Sequence, residues 1–183
     1  MAAEAARVRV WDPLVRIFHW ALAAAFVVAW LSHGGYLPLH RLAGYAIAAL
    51  VLVRVLWGFV GPPHARFADF VRGPRELAAY AGLVVRGREP RYLGHNPAGG
   101  AMVLLLLVFL AALCATGVML DTPWYRDDGR VKEVHDLLTD AVLICLVLHL
   151  LGVAYASWRH RENLVGAMIS GSKRTEEAAD GRS

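Results

Sequence analysis

The sequence predicts an all-α integral membrane protein, a four-helix bundle whose chain runs up and down across a bilayer. Hydrophobic residues make up 57% of the 183 residues and charged residues only 19%, which is too apolar for an ordinary soluble domain. Four long apolar segments alternate with polar connections. We expect one membrane domain over residues 1–171 and a polar, disordered tail over residues 172–183.

The apolar segments predict four transmembrane helices, at about residues 14–31, 39–60, 101–120 and 134–159. Asp12 and Pro13 are typical of a helix start, as N-cap and first helical residue. The segment 101–120 contains no charged residue and is the strongest transmembrane signal in the chain. In the long connection between helices two and three, residues 74–87 predict an amphipathic helix lying on the cytoplasmic membrane surface.

The distribution of lysine and arginine predicts the orientation. The amino-terminal segment, the long connection and the tail together carry fourteen of these residues, and the other two loops carry four. Cytoplasmic loops are enriched in lysine and arginine, so both termini and the long connection are expected in the cytoplasm. The net charge of +4 indicates contact with the head groups of the lipid bilayer, not nucleic acid.

Four histidines form two sets by depth. His135 and His149 are fourteen residues apart in the fourth helix, so they share one helix face and differ in height by about 21 Å. The orientation places His135 at the outer side together with His40. It places His149 toward the cytoplasm together with His19. A buried imidazole needs a partner in lipid, and this pairing favours two metal cofactors over four unrelated core histidines.

Haem suits these pairs better than zinc does. A structural zinc site needs about four nitrogen or sulfur ligands, whereas haem iron needs only two axial ligands from the protein. The sequence has no C-x-x-C-H motif, so any haem is bound non-covalently. The alternative, a haem-free transporter or structural protein with coincident histidines, stays open on this evidence.

Three further residues are candidates for cofactor binding, each with an alternative. Gly44, four residues after His40, either admits a flat ring or permits close helix packing. Arg16 could bind a haem propionate or a lipid phosphate. Arg54 lies on the His40 face toward the cytoplasm, and either binds a propionate of the inner haem or extends to the membrane interface.

For two other polar residues, Asp140 and His95, the sequence predicts a structural role. Asp140 lies about 180° round the helix from His149 and is expected to face away from the cofactor side. His95 is expected to be an ordinary exposed histidine, with a minority case for a quinone pocket on the cytoplasmic side.

Several motifs resemble those of the bacterial cytochrome b561 family, which includes the cytochrome b subunits of nickel–iron hydrogenases. They are VWDPLVRIFHW (10–20), LHRLAGY (39–45), GFVGPPHARFADFVRGP (58–74), YLGHNPAGG (92–100) and HRENL (160–164). The resemblance implies a multi-pass protein of the bacterial inner membrane with two b haems. The family's axial ligands fall on His19, His40, His135 and His149, the four histidines that depth arranges as His19 with His149 and His40 with His135.

The resemblance also implies the function. We expect electron exchange between quinone or quinol and a redox partner, either a c-type cytochrome or a hydrogenase-like protein. The alternative is a haem-bearing anchor subunit of a hydrogenase or other respiratory oxidoreductase. The direction of electron flow and a quinol oxidoreductase activity of the chain itself stay open.

Overall fold

Four long helices form a bundle in the computed structural model, which describes residues 7–175. They are α1 (Pro13–Ser32), α2 (Leu37–Val60), α5 (Pro97–Asp121) and α6 (Gly129–Arg159). Each is long and apolar enough to cross a membrane. The described residues also form α3 (Phe67–Phe70), α4 (Pro74–Val85), α7 (Leu164–Ser170), β1 (Arg7–Arg9) and β2 (Ser172–Arg174). The predicted four-helix membrane bundle is confirmed.

Side-chain caps set where the helices begin. The Asp12 carboxylate accepts hydrogen bonds from the backbone N–H groups of Leu14 (2.8 Å) and Val15 (3.2 Å), as the sequence predicted. Helices α5 and α6 begin earlier than expected, at residues 97 and 129. The reason is that Asn96 and Asp128, which lie before the predicted helices in the polar connections, cap α5 and α6 through their side-chain oxygens.

The helices pack in chain order, α1 on α2, α2 on α5 and α5 on α6. Helix α6 does not pack closely along α1 or α2. The buried core draws on all four long helices and consists of Phe18, Ala29, Ala43, Ile47, Val51, Leu107, Leu110 and Val142. This arrangement leaves space between α6 and the first two helices, and the predicted histidine pairs come from these helices.

The two ends of the described chain meet in a small antiparallel sheet, with Arg7 opposite Arg174 and Val8 opposite Lys173. Residues 172–174 were expected in a disordered tail, and that expectation is wrong for them. Glu162 accepts a hydrogen bond from the Arg174 backbone N–H (3.3 Å), and the Lys173 ammonium donates to the Tyr92 carbonyl (3.3 Å). Residues 1–6 and the tail from residue 176 lie outside the described part of the chain.

The connection between α2 and α5 contains the predicted helix, observed as α4. Tyr80 is its buried residue and α4 packs against α5. Its position on the membrane surface stays a prediction. Helices α3 and α7, with four and seven residues, were not predicted because segments this short show no usable hydrophobic period.

Candidate functional site

The structure brings the four predicted histidines together in two pairs. The ring centroids of His40 and His135 are 6.4 Å apart, and those of His19 and His149 are 6.3 Å apart. All four side chains are half-buried. In each pair one ring comes from α6 and the other from α1 or α2, so both pairs bridge the space that helix packing leaves open.

The separation within each pair fits a haem iron held by two imidazoles. Two metal–nitrogen bonds of about 2 Å each, together with the half-widths of two imidazole rings, add up to roughly the observed centroid distance. Within residues 7–175, no group of three or more His, Cys, Asp or Glu side chains is placed to hold a bare metal ion. Two imidazoles are enough for haem iron, because the porphyrin supplies the other four nitrogens.

A cavity of about 720 Å³ is lined by His40 and His135, which we call the outer pair after its predicted side of the membrane. Gly44 lines this cavity, and none of the described atoms lies within 4 Å of the position that a Cβ would occupy. The backbone of Gly44 does meet α5, because the Cys114 thiol lies 3.8 Å from its carbonyl oxygen, but its missing side chain faces open space. The flat-ring interpretation stays a prediction. Three cations also line the cavity: Arg41, Arg126 and Lys132.

Hydrogen bonds orient both rings of the outer pair, and the sequence analysis did not find their partners. The His40 Nδ1 lies 2.8 Å from the Ala29 carbonyl oxygen. A carbonyl can only accept, so the proton resides on Nδ1 and the Nε2 lone pair stays free. The ring of His135 contacts Thr116 and Gly117 on α5. A threonine and a glycine in an apolar helix carry no signal of such a role until the helix register is known.

Arg54 on α2 is buried inside the protein. It is 2% exposed, its Nη2 donates to the Ala65 carbonyl (3.0 Å), and its guanidinium lies 5.3 Å from the centre of the Phe67 ring. Its Nη1 has no hydrogen-bond partner in the described part of the chain. A buried cation with an unused N–H group is available for an anion, and the propionate and interface interpretations both stay predictions.

Arg16 has a structural partner. Its guanidinium donates to the Ile169 carbonyl at the end of α7, while its Nε is buried and makes no hydrogen bond to the described residues. This contact ties α7 to α1. A role of Arg16 toward a haem propionate stays a prediction.

Two expectations about other polar residues are wrong. The His95 ring packs between Trp11 (4.7 Å) and Phe70 (4.6 Å), and burial together with the charge of Arg54 lowers the pKa of His95 to about 3. His95 is thus a neutral, packed ring, not an exposed histidine. Asp140 lines the outer cavity, because that cavity is wide enough to reach the flank of α6.

A four-helix bundle that presents paired imidazoles between its helices defines a class of haem-binding membrane proteins. The family profile described as Prokaryotic cytochrome b561 matches residues 10–171. The chain belongs to the prokaryotic cytochrome b561 family. It is a multi-pass bacterial membrane protein that binds haem b and transfers electrons.

Two relatives illustrate the similarity. A protein of Rhizobium leguminosarum bv. viciae named "Probable Ni/Fe-hydrogenase B-type cytochrome subunit" is 28% identical, and the match covers 98% of this chain and 94% of the relative. A protein of Azotobacter vinelandii with the same name is 25% identical over 90% of this chain and 87% of the relative. No solved structure matches the chain.

Proposed function

We propose that this protein is a di-haem b-type cytochrome that exchanges electrons between the quinone pool and a redox partner protein across the bacterial inner membrane. The observation that carries the proposal is the presence of two facing histidine pairs at two depths of one bundle. Because His135 and His149 are separated along α6 by a rise of about 21 Å, the pairs lie toward opposite faces of a bilayer core about 30 Å thick.

The ligand sets follow from the pairs. His40 and His135 hold the outer haem, and His19 and His149 hold the inner haem. Haem iron bound in this way supplies reversible one-electron chemistry. The chain positions each haem, sets the tautomer of the ligating histidines and surrounds the haem with apolar helices. Arg54 offers its unused Nη1–H to an inner propionate, and Gly44 leaves room for the outer macrocycle.

The proposed orientation puts both termini and the α2–α5 connection in the cytoplasm. Lysine and arginine are concentrated in these segments, fourteen against four. Two contacts between the ends of the chain and the connection support a common side: the Arg91–Glu162 ion pair (2.8 Å) and the hydrogen bond from Lys173 to the Tyr92 carbonyl. In this orientation we place the redox partner beside the outer haem and the quinone site beside the inner haem.

The partner at the outer face is proposed to be a hydrogenase-like protein, because the relatives carry the name of a hydrogenase cytochrome subunit. A c-type cytochrome is the alternative partner. In the second candidate function the chain is the haem-bearing anchor subunit of such an enzyme. Stable co-purification with a hydrogenase from the native membrane would favour the anchor, and a free cytochrome that reduces or oxidises quinone favours the electron carrier.

One measurement tests the core of the proposal. We expect the purified full chain to contain two haems, with a sharp b-type α-band in the reduced-minus-oxidised spectrum. In liposomes, quinol dissolved in the membrane is expected to reduce an oxidised, membrane-impermeant dye outside, or a reduced dye outside is expected to reduce membrane quinone to quinol. A haem content of one per chain would contradict the di-haem proposal. Electron transfer to or from the dye that does not depend on quinone would contradict the quinone exchange.

Gly44→Val should remove the outer haem and leave the inner one. The added side chain would occupy the open space that we assign to the macrocycle. No described protein atom lies within 4 Å of its Cβ position, so the substitution should not disturb the bundle itself. The measurement is haem content per chain in the purified protein. Gly82→Val on α4 is the matched control, because its Cβ position is also open and it lies away from the cavity. Full haem content in the Gly44 variant would argue against this placement.

A further inference from the structure

The hydroxyl group of Thr116 on α5 lies 2.9 Å from the Nδ1 of His135. The same oxygen lies 2.9 Å from the Leu113 carbonyl and 3.2 Å from the Ala112 carbonyl. A hydroxyl has one hydrogen and carbonyl oxygens only accept, so that hydrogen points back into α5. Thr116 therefore accepts from His135, the proton of the ring resides on Nδ1, and Nε2 keeps its lone pair.

Gly117 lets the His135 ring pack closely against α5. A Cβ at Gly117 would lie 3.3 Å from the His135 Cε1, a distance tighter than an ordinary carbon–carbon contact. The hydroxyl and the missing side chain are adjacent in sequence, so one turn of α5 both orients the ring and lets it approach.

The two histidine pairs differ in this respect. In the outer pair His40 donates to the Ala29 carbonyl and His135 donates to Thr116, so Nε2 of both rings keeps its lone pair. In the inner pair the His19 Nδ1 is buried and has no hydrogen-bond partner within residues 7–175. Of the two hydrogen-bond acceptors in the outer pair, the Ala29 carbonyl belongs to the backbone and the Thr116 hydroxyl to a side chain. Only the Thr116 acceptor can therefore be removed by a substitution.

We propose that Thr116 is a positioning residue for the outer haem, which selects the His135 tautomer and strengthens the imidazole as an electron donor. The inference rests on the proposed ligation of haem by His135. A metal-ligating histidine whose second nitrogen donates a hydrogen bond is a more basic ligand. A more basic ligand stabilises the ferric state, so the hydroxyl of Thr116 lowers the reduction potential of the outer haem.

The test compares Thr116→Val with Thr116→Ser in the purified full-length protein. Valine keeps the shape and removes the acceptor, whereas serine keeps the hydroxyl. We expect both variants to retain two haems. In the valine variant the ferrous-to-ferric ratio of the outer haem at a fixed potential should rise about tenfold, which is about 59 mV for one electron. The serine variant should titrate like the wild type, and the inner haem should not change in either.

The two potentials are assigned with His135→Ala, whose remaining haem is the inner one. An unchanged outer potential in the valine variant, or equal shifts in valine and serine, would overturn the role of the hydroxyl while leaving ligation intact. Full haem content in His135→Ala would instead overturn the ligation, and the Thr116 proposal with it. If Thr116→Val loses both haems through misfolding, Thr116→Ala takes its place in the comparison with serine.

Discussion

His135→Ala is expected to yield protein that has lost one of its two haems and keeps the other. His40 alone cannot hold the outer haem as a bis-histidine site, whereas the inner pair is separated from the change by about 21 Å along α6. Haem content is measured as the pyridine haemochrome per chain. The potential of the retained haem should match the inner component of the wild-type titration.

The chain offers a control at the same cavity. His33 also lines it, but its ring faces Trp30 and no second histidine among the described residues, so His33→Ala should keep both haems. His19→Ala should give the reciprocal result and lose the inner haem. Equal loss of both haems in His135→Ala would contradict independent sites and indicate that the bundle folds only when both are filled.

Glu162→Gln is expected to destabilise the packing of β2 and the segment after α6 against the α2–α5 connection by about 3–5 kcal/mol, the usual cost of removing one partner from a buried ion pair. The Glu162 side chain is 6% exposed and accepts two hydrogen bonds from Arg91, at 2.8 Å and 3.3 Å. The Lys173 ammonium lies 3.9 Å away and is also buried. Without the carboxylate, the buried Lys173 ammonium and the half-buried Arg91 guanidinium lose their counter-ion, and strand β2 loses a contact that holds it.

The measurement is thermal unfolding in detergent, together with limited proteolysis after α7. Glu76→Gln is the matched control. Glu76 faces Arg72 at 3.8 Å in an exposed pair, and such pairs contribute between zero and about 1 kcal/mol. A Glu162 variant as stable as this control would show that the ion cluster of Arg91, Glu162 and Lys173 does not hold the strand.

The same residue predicts a pH dependence. Burial alone would raise the pKa of Glu162, but the hydrogen bonds from Arg91 and the charge of Lys173 outweigh burial and lower it. A carboxylate whose pKa is lower in the folded state stabilises the fold above its unfolded pKa, and this stabilisation is lost as the pH falls through the folded value. The stability gap between wild type and Glu162→Gln should therefore be full at neutral pH. It should narrow below about pH 4.3, the usual glutamate pKa.

The sequence predicted the helices and the histidine pairs well, because both depend on short-range periodicity. Helix α1 begins at the Asp12-Pro13 signal, and α5 contains the uncharged segment 101–120, the strongest transmembrane signal in the chain. The starts of α5 and α6 were predicted too late, because asparagine and aspartate are common both in turns and at helix N-caps. The sequence alone does not separate these two roles for Asn96 and Asp128. The strand β2 was missed because three polar residues at the end of a chain give no local sign of a partner at its beginning.

The sequence alone predicts that the four histidines lie at two depths. The lysine and arginine count predicts which end of each helix is cytoplasmic, and the rise per residue gives the height of each histidine along its helix. Only the tertiary structure decided what lies beside each ring. The contact of Thr116 with His135, the open space at Gly44 and the buried guanidinium of Arg54 depend on how the helices are rotated about their axes. That rotation is set by side chains packing between distant segments, which no local pattern in the sequence encodes.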